Sequence, residues 1–296
     1  MSYETIVLHS GGMDSSLCLL LAVKEYGSKN VISLGFRYHQ RHETELKAAD
    51  MIAAHYGVRR EVIDMPLVPG WESSSLISRS LPVPEEPFAK LATALCSWRR
   101  GHSSDLSSPI VTTMGFVEIG ALPFAGTSHI AVASFAKASE EFSIHDRTSS
   151  AGCPNSIVTG RNGLFLMMAS PLAKSVGAEA LCIGVMEREG ANSGYPDCNR
   201  AYIDSVQTVI RLDLHNPSFS IQTPLIDMSK AETMELADSL GELEFLLQNT
   251  VTCYNGVPIT GCRACPSCRL RNEGIVEFYR SHPDRMPPAP FAALMP

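Results

Sequence analysis

A Gly-Gly turn between a strand and a helix is the feature of this sequence that most constrains its fold. An apolar strand pattern at 6–8 runs into Ser-Gly-Gly-Met-Asp-Ser at 10–15, and an apolar helical pattern follows over 17–21. Glycine lets the backbone turn tightly and approach a ligand closely, and the N–H groups that open a helix attract an anion. The segment therefore predicts a strand, a loop and a helix that together grip pyrophosphate.

The polar side chains of this loop suit a nucleotide with its metal ion. The hydroxyls of Ser10, Ser15 and Ser16 converge on the expected anion, whereas Asp14 would repel phosphate and is predicted to hold Mg²⁺ beside it. The loop has neither the Gly-Lys-Ser/Thr ending nor the Gly-x-Gly-x-x-Gly spacing of other nucleotide loops. It resembles the PP-loop of the ATP pyrophosphatases, Ser-Gly-Gly-x-Asp-Ser, which implies transfer of AMP to a substrate oxygen. The alternative is a plain Gly-Gly turn of an α/β fold that binds nothing.

Strand and helix signals alternate along the chain, which is the βαβ rhythm of an α/β fold with a parallel sheet and helices on both faces. The predicted strands are 5–8, 31–36, 60–65 and 180–185, and the predicted helices are 15–26, 43–56 and 164–176. Asp227 or Ser229 is predicted to cap a further helix that runs through Leu240.

Length and charge limit the class of protein. The chain has 296 residues, 45% of them hydrophobic, and a formal net charge of -7. This size suits one large core, and the acidic balance supplies no general field for nucleic acid. The apolar stretch 17–23 is far shorter than the roughly 20 residues of a membrane span. We therefore expect a cytoplasmic protein that binds neither membrane nor nucleic acid.

The segment at about 88–152 differs from its flanks. It follows a proline-rich stretch at 81–87 and contains a polar loop and short apolar runs. We predict an insertion in a nucleotide-binding catalytic domain at 1–240, which is followed by a zinc-binding region at 241–296. The insertion either docks a partner or is an elaboration without a chemical role.

Four cysteines crowd into sixteen residues near the end of the chain, at positions Cys253, Cys262, Cys265 and Cys268. Their spacing supplies four thiolates on tight turns, which matches tetrahedral Zn²⁺ with no open coordination position and hence a structural site. An iron–sulfur cluster uses similar ligands. Free or redox-active thiols are the remaining alternative.

A PP-loop and a four-cysteine site in one acidic chain resemble the 7-cyano-7-deazaguanine synthase (QueC) family. Residues 36–42, Phe-Arg-Tyr-His-Gln-Arg-His, are similar to the family's Tyr-x-Gln-Arg-His. Residues 154–162 resemble its Pro-Asn-x-x-x-Pro-Gly-Arg-Asn, and the segments 193–198 and 252–256 match closely. The similarity covers nearly everything except the insertion, and the fold it implies is of the adenine nucleotide alpha hydrolase type.

The resemblance implies conversion of the carboxylate of 7-carboxy-7-deazaguanine to a nitrile. ATP adenylates the carboxylate, ammonia displaces AMP to give an amide, and a second ATP activates the amide oxygen so that elimination leaves the nitrile. The implied cofactors are ATP, Mg²⁺ and Zn²⁺. The implied partners are the small-molecule substrate and ammonia, and we expect a homodimer.

The resemblance also implies roles for individual residues. The nucleotide and its metal ion would contact Leu8, Ser10, Gly11, Gly12, Asp14, Ser15, Ser16 and Lys230. The substrate would contact Gln40, Arg41, His42, Gly160, Arg161, Asn162, Tyr195, Pro196 and Asp197. Catalysis is assigned to Ser10, Asp14, Ser15 and Arg161.

Three of these roles have a stated chemistry. Arg161 would meet an oxyanion or phosphate with its planar guanidinium. Tyr195 would stack on the base, and Asp197 would accept from its guanine-like N–H edge. A structural role for His42 and a solvated Lys230 are the alternatives.

Several positions depart from the family pattern. Arg37 stands where the family has Asp, His39 where it has Gly, Thr159 where it has Pro and Asn199 where it has Arg. The linker 186–192 is longer than usual and lacks the acidic residue before Ser-Gly-Tyr-Pro. These departures leave the phosphate loop and the cysteines intact and fall on the substrate side.

The departures and the insertion favour one alternative function, a QueC-like paralogue of antiviral defence operons that passes the activated deazaguanine to an amine of a partner protein. A tRNA-modifying or nucleic-acid-binding PP-loop protein is the third hypothesis. The net charge of -7 and the lack of an appended basic domain weigh against it.

Overall fold

The computed structural model describes residues 3–85, 155–188 and 195–295. The predicted insertion at about 88–152 lies outside the described residues. So do Pro154, Ser193 and Gly194 of the family-like segments.

Five parallel strands form the sheet, in the order β3-β2-β1-β4-β5. The strands are β1 Thr5–Leu8, β2 Val31–Arg37, β3 Arg59–Asp64, β4 Ala180–Ile183 and β5 Ser220–Gln222. β1 is central and pairs with β2 on one side and with β4 on the other. The strand order reverses between β1 and β4, and a ligand crevice forms at the carboxyl ends of the strands where such a reversal occurs.

Helices cover both faces of this sheet. They are α1 Met13–Tyr26, α2 Thr44–His55, α3 Arg161–Val176, α4 Arg200–Leu214, α5 Lys230–Ser239, α6 Leu243–Asn249, α7 Pro266–Ser281 and α8 Ala289–Ala292. Within the described ranges, no helix is both long and apolar enough to span a bilayer.

Alternating side chains of the central strand feed two separate cores, because successive residues of a strand point to opposite faces. Val7 packs with α1 and the C-terminal helices, whereas Ile6 and Leu8 pack with α3 and α4. Both cores are apolar and buried. Because the strands are buried on both faces, their sequences are nearly continuous runs of hydrophobic residues. The predicted fold class, a parallel sheet with helices on both faces, is confirmed.

The C-terminal region shares a core with the sheet. Leu246, Phe278 and Phe291 are buried in the same cluster as Leu17 of α1. Side chains from both sides of position 240 therefore pack together, and the proposed division at that position stays a prediction.

The structure adds elements that the sequence did not predict and shifts one boundary. α4, β5, α6 and α7 were not predicted as elements. α3 begins at Arg161, earlier than the predicted 164, because Gly160 adopts a left-handed conformation (φ 72°) and turns the chain directly into the helix. This shift brings Arg161 and Asn162 to the helix N-terminus.

Ser229, one of the two predicted caps, caps α5 in a reciprocal arrangement. Its hydroxyl accepts the Glu232 N–H at 3.2 Å, and the Glu232 carboxylate accepts the Ser229 N–H at 2.6 Å. The cap fixes the start of α5 and with it the position of Lys230, the first residue of the helix.

We expect Ser229→Ala to lower the free energy of unfolding by about 1 kcal/mol, the usual cost of a lost N-cap. Chemical denaturation measures this loss. Ser205→Ala is the matched control because Ser205 lies inside α4, where its hydroxyl only donates to the Ala201 carbonyl at 2.9 Å. Equal losses for both variants would contradict the capping role.

Candidate functional site

A cavity of about 280 Å³ opens at the carboxyl ends of β1 and β4. Its described walls come from the loop after β1, the segment after β2, the first turns of α2 and α3, the segment after β4 and residues 251–254. It lies where the sheet order reverses, which is the expected place for a ligand in an open α/β sheet.

Hydrogen bonds among its serines fix the loop after β1. The Ser10 N–H donates to Ser15 Oγ at 3.2 Å, and Ser15 Oγ donates to the Gly12 carbonyl at 3.1 Å. The Gly12 N–H points at Ser10 Oγ at 3.3 Å. Gly12, Asp14 and Ser15 line the cavity, so the N-terminal turn of α1 faces it with N–H groups that have no partner inside the helix. This arrangement suits an anion.

The two glycines of the loop have different roles. Gly11 has φ 94°, and a Cβ there would overlap the Glu45 carbonyl oxygen and lie 2.8 Å from the Ala49 backbone nitrogen. Gly12 has φ -78° and room for a Cβ, with its nearest neighbour, Ser10 Oγ, 3.5 Å away. The fold therefore needs glycine at 11, whereas at 12 glycine only keeps the cavity open.

His9, for which the sequence predicted no role, links β2 to the start of α1 through hydrogen bonds of its ring. Its ring nitrogens contact Ser33 Oγ at 2.8 Å and Ser16 Oγ at 3.0 Å. Burial, assisted by Arg60, lowers the pKa of His9 to about 3. The ring is neutral at physiological pH, so it donates to one serine and accepts from the other. Ser16, predicted to contact the nucleotide, is thus bonded to His9 and does not line the cavity in the described part of the chain.

Asp14 pairs with Lys230, and one of its oxygens is left over. Lys230 Nζ lies 2.6 Å from Asp14 Oδ2 and 3.0 Å from the sulfur of Met186. Asp14 Oδ1 is buried without a hydrogen-bond partner. A buried carboxylate oxygen with no donor is a ligand atom that fits a hard cation such as Mg²⁺. Lys230 lies behind Asp14, outside the described cavity lining.

Arg161 brings a positive charge into the cavity from the start of α3. The only hydrogen bond of its guanidinium to the described residues is a long one, from Nη1 to the Tyr38 hydroxyl at 3.5 Å. No carboxylate of the described ranges lies within ion-pair distance of it. The guanidinium is therefore free to meet an oxyanion, and the predicted role of Arg161 stays a prediction.

Glu45, in the first turn of α2, is the second carboxylate of the described lining. Burial raises the pKa of Glu45 to about 7, although the positive charge of Arg161 opposes that shift. The carboxylate makes no hydrogen bond or ion pair with any residue that the structure describes. No local sequence pattern predicted a role for Glu45, because a glutamate in a first helical turn is ordinarily explained by the helix dipole.

Three predicted substrate contacts line the cavity, but their polar atoms form hydrogen bonds with other protein groups. They are Gln40, Arg41 and His42. Gln40 Oε1 accepts the Tyr38 N–H at 2.8 Å, and Arg41 Nη1 donates to three backbone carbonyls in the segment 75–81. His42 Nε2 lies 3.1 Å from the Cys253 carbonyl oxygen, and burial lowers the pKa of the ring. These contacts shape the walls, and the predicted contact of the three residues with substrate stays a prediction.

The predicted base-recognition residues lie beside the described lining, not in it. The Tyr195 hydroxyl lies 2.9 Å from those of Ser156 and Tyr254, and Asp197 Oδ2 accepts the Asn162 N–H at 3.2 Å. Asp197 thus satisfies an N-terminal donor of α3. Of the neighbouring predicted residues, Asn162 lines the cavity, and Gly160 and Pro196 do not.

The predicted metal ligands come together. The four Sγ atoms of Cys253, Cys262, Cys265 and Cys268 lie within 4.8 Å of one another. The N–H groups of Asn255 and Cys262 each point at Cys253 Sγ at 3.4 Å, and the Cys265 N–H points at Cys262 Sγ at 3.2 Å. Such donors favour thiolates, so the donor set fits a metal ion held by four sulfurs.

Arg271, on α7, supplies positive charge next to these cysteines. Only 2% of its surface is exposed. It donates to Asn272 Oδ1 at 3.0 Å and lies over the Phe291 ring, and no described carboxylate is within ion-pair distance. Burial lowers the pKa of Arg271, and the neighbouring cysteine sulfurs oppose that shift. A buried cation such as the Arg271 guanidinium needs a nearby negative charge. A divalent metal ion bound by four thiolates carries a net negative charge and would supply it.

A family model described as "Queuosine biosynthesis protein QueC" matches residues 4–98 and 102–279. The chain belongs to the QueC family. The QueC match includes the loop after β1 and all four clustered cysteines, and it extends through most of the segment 88–152.

Curated relatives agree with QueC membership. The "7-cyano-7-deazaguanine synthase" of Bacillus subtilis (strain 168) is 32% identical over 275 residues, 93% of this chain and 94% of the relative. That of Lysinibacillus sphaericus (strain C3-41) is 31% identical over 93% of this chain and 95% of the relative. Among solved structures, NMN synthetase from Francisella tularensis is 11% identical with a TM-score of 0.41, over 97% of this chain and 90% of that chain. That last similarity is too low to carry any argument about this QueC member.

We expect Gly11→Ala to lower the free energy of unfolding by about 1–3 kcal/mol, the cost of forcing a side chain into a left-handed conformation, with the clash against α2 adding to it. Gly12→Ala is the matched control and should unfold as the parent does, since its Cβ meets only ordinary contacts. Chemical denaturation of both variants measures the difference. Comparable losses would contradict the distinction between the two glycines.

We expect the purified protein to carry a metal ion and Cys262→Ser to lose it, because a hydroxyl replaces one of the four sulfurs. Elemental analysis of dialysed protein measures the metal content. Cys18→Ser is the control because Cys18 is buried in α1, away from the cluster. Metal retained equally by both variants would count against the site.

Proposed function

We propose that this chain is an ATP-dependent enzyme that adenylates the carboxylate of 7-carboxy-7-deazaguanine and, with ammonia, converts it to 7-cyano-7-deazaguanine. One observation carries the proposal: a loop suited to pyrophosphate and an unpaired arginine open into one cavity in a member of the QueC family. The curated relatives that share its length bear the name of this activity.

The loop after β1 accounts for the use of ATP. Backbone N–H groups at the start of α1 would bind the departing pyrophosphate, and the open space above Gly12 lets those oxygens approach the backbone. Asp14, with its unpartnered Oδ1, would hold Mg²⁺. When bound, that ion neutralises the charge that develops on pyrophosphate as it leaves.

Arg161 accounts for the carboxylate. A carboxylate resists attack by ammonia because oxide is a poor leaving group, and transfer of AMP to one of its oxygens removes that obstacle. A guanidinium with no carboxylate partner orients the substrate oxygen and stabilises the oxyanion that forms at the attacked carbon.

Aromatic side chains suit the planar base. The Phe36 and Phe165 rings stack at a centroid distance of 4.3 Å, and Tyr38 meets Phe165 edge to face at 5.1 Å. All three line the cavity. Flat apolar walls of this kind favour a bicyclic purine-like ring, which buries large faces against them.

A structural zinc ion is the metal we propose for the four cysteines. Four thiolates complete a tetrahedral shell, so the ion would hold the chain in place and take no part in the reaction. Val251, Thr252 and Tyr254 flank Cys253 and line the cavity, so the site would hold one wall of the reaction centre.

Several finer expectations belong to this proposal. They are a cytoplasmic location, a homodimer, a boundary near 240 between catalytic and zinc-binding parts, and the assignment of the remaining predicted residues to nucleotide or substrate. Light scattering measures the oligomeric state. Transfer of the activated base to a protein amine is the alternative acceptor, and no described contact favours it over ammonia.

Incubation of the purified protein with ATP, Mg²⁺, 7-carboxy-7-deazaguanine and ammonium chloride tests the proposal. Mass spectrometry should detect the nitrile together with AMP and pyrophosphate. Gly12→Ala, which keeps the fold, should reduce ATP consumption by roughly 10²-fold, the scale of a lost transition-state donor, because its methyl group occupies the phosphate position.

The possible results separate the alternatives. ATP left intact in the presence of the deazaguanine acid would overturn adenylation altogether. Release of AMP without amide or nitrile would overturn ammonia as the acceptor. Normal turnover by Gly12→Ala would overturn the assignment of the loop.

A further inference from the structure

Two carboxylates line the described part of the cavity, and one of them, that of Glu45, forms no hydrogen bond or ion pair with the described residues. Asp14 is paired with Lys230 at 2.6 Å. Glu45 has no hydrogen-bond or ion-pair partner among the described residues, yet it lines the cavity. An unpaired carboxylate in the wall of a cavity has no structural contact that explains it, so a reacting group is the natural partner.

The position of Glu45 is set by the contact between α2 and the phosphate loop. Gly11 lacks a Cβ, and the Glu45 backbone occupies that space. The charged and titratable groups that face the carboxylate are Arg161 from α3, Tyr38 from the segment after β2 and Cys253 from the C-terminal segment. Glu45 therefore lies beside the predicted oxyanion contact and next to the loop that would bind pyrophosphate.

The proposed reaction requires a base at this place. Ammonia loses a proton when it replaces AMP on the acyl group, and the adenylated amide loses its N–H protons when the nitrile forms. We infer that Glu45 is the catalytic base that accepts these protons from nitrogen, an assignment that rests on the proposed function. A base poised near neutral pH serves this task best, and the raised pKa of Glu45, about 7, agrees with it.

Each step balances with Glu45 in this role. In the first, the ammonia nitrogen bonds to the acyl carbon, an N–H proton passes to a Glu45 oxygen, and the bond from carbon to the AMP oxygen breaks with its electron pair on AMP. In the second, the amide oxygen attacks ATP, pyrophosphate leaves, and an adenylated iminium with two N–H protons results. Glu45 takes one of these protons to give the neutral imidate and later takes the other, whose electron pair completes the triple bond as the bond from carbon to the AMP oxygen breaks. Glu45 returns each proton to solvent.

The other titratable side chains of the described lining suit this task less well. His9 is bonded on both ring nitrogens. His42 uses Nε2 on the Cys253 carbonyl, and its Nδ1 is enclosed without a partner. Burial raises the pKa of Tyr38 further above neutrality and that of Cys198 to about 12. Compared with these side chains, Glu45 lines the cavity without a described partner and ionises near neutral pH.

The test separates activation from the nitrogen steps by using Glu45→Gln, which keeps size and removes basicity. Exchange of labelled pyrophosphate into ATP in the presence of 7-carboxy-7-deazaguanine, without ammonia, reports adenylation. Amide and nitrile formation, measured by mass spectrometry after ammonium chloride is added, report the nitrogen steps. Glu43→Gln is the matched control because Glu43 is the exposed acid just before α2, 52% accessible in its side chain and paired with Arg37.

We expect Glu45→Gln to slow amide and nitrile formation by roughly 10²-fold or more, the usual contribution of a general base, while pyrophosphate exchange falls far less. Glu43→Gln should match the parent in both assays. In the parent, nitrile formation at a fixed concentration of free ammonia should rise with pH through about 7, as Glu45 ionises, and Glu45→Gln should lose that rise.

The outcomes distinguish this inference from the proposed function. A parent protein that shows no pyrophosphate exchange overturns the proposed function. A parent that makes nitrile while Glu45→Gln makes it at a rate within a factor of three, or with the same pH profile, overturns the role of Glu45. If Glu45→Gln does not fold, Glu45→Asp and the pH profile of the parent decide: no ionisation near neutral pH in the nitrogen steps alone overturns the inference.

Discussion

The close contact between Gly11 and α2 is the constraint on which the site depends. Gly11 lacks a side chain, so the backbone of the first turn of α2 reaches the loop after β1. The Val251 N–H donates to the Gly11 carbonyl at 2.9 Å from the other side. One glycine therefore joins three parts of the chain that are distant in sequence, and the cavity exists because they meet there.

The cysteine cluster is joined to the segment after β2, and the residues around Cys253 form another wall of the cavity. His42 bonds to the Cys253 carbonyl and packs against Gly256, so the segment that follows β2 braces the segment that carries the clustered cysteines. The chain around Cys253 also lines the cavity. The loop after β1, the first turn of α2 and the cysteine cluster form one continuous support, in which each part limits the movement of the next.

The sequence predicted those parts of the protein whose chemistry is local. Strand and helix patterns, the loop at 10–15 and the cysteine spacing each lie within one short segment, and their elements or ligand set appear as predicted. The contacts of His9 with Ser16, of Lys230 with Asp14 and of Glu45 with the cavity join distant segments. No local pattern records such pairings, since tertiary packing decides which polar atoms remain free. The described hydrogen bonds of Tyr195 and Asp197 go to neighbouring protein groups, and the roles predicted for these two residues stay predictions.

Hydrogen bonds join the described residues on either side of the segment 86–154. The Ser75 N–H donates to the Asn155 carbonyl at 2.8 Å, and Asn155 Nδ2 donates to the Pro82 carbonyl at 3.1 Å. Arg41 Nη1 donates to the Leu81 carbonyl at 2.9 Å and so holds the chain just before this segment. The described residues on either side of the segment 86–154 are therefore held close together, and loop-closure entropy grows only slowly with length. A change in the length of that segment thus costs the described sheet little free energy.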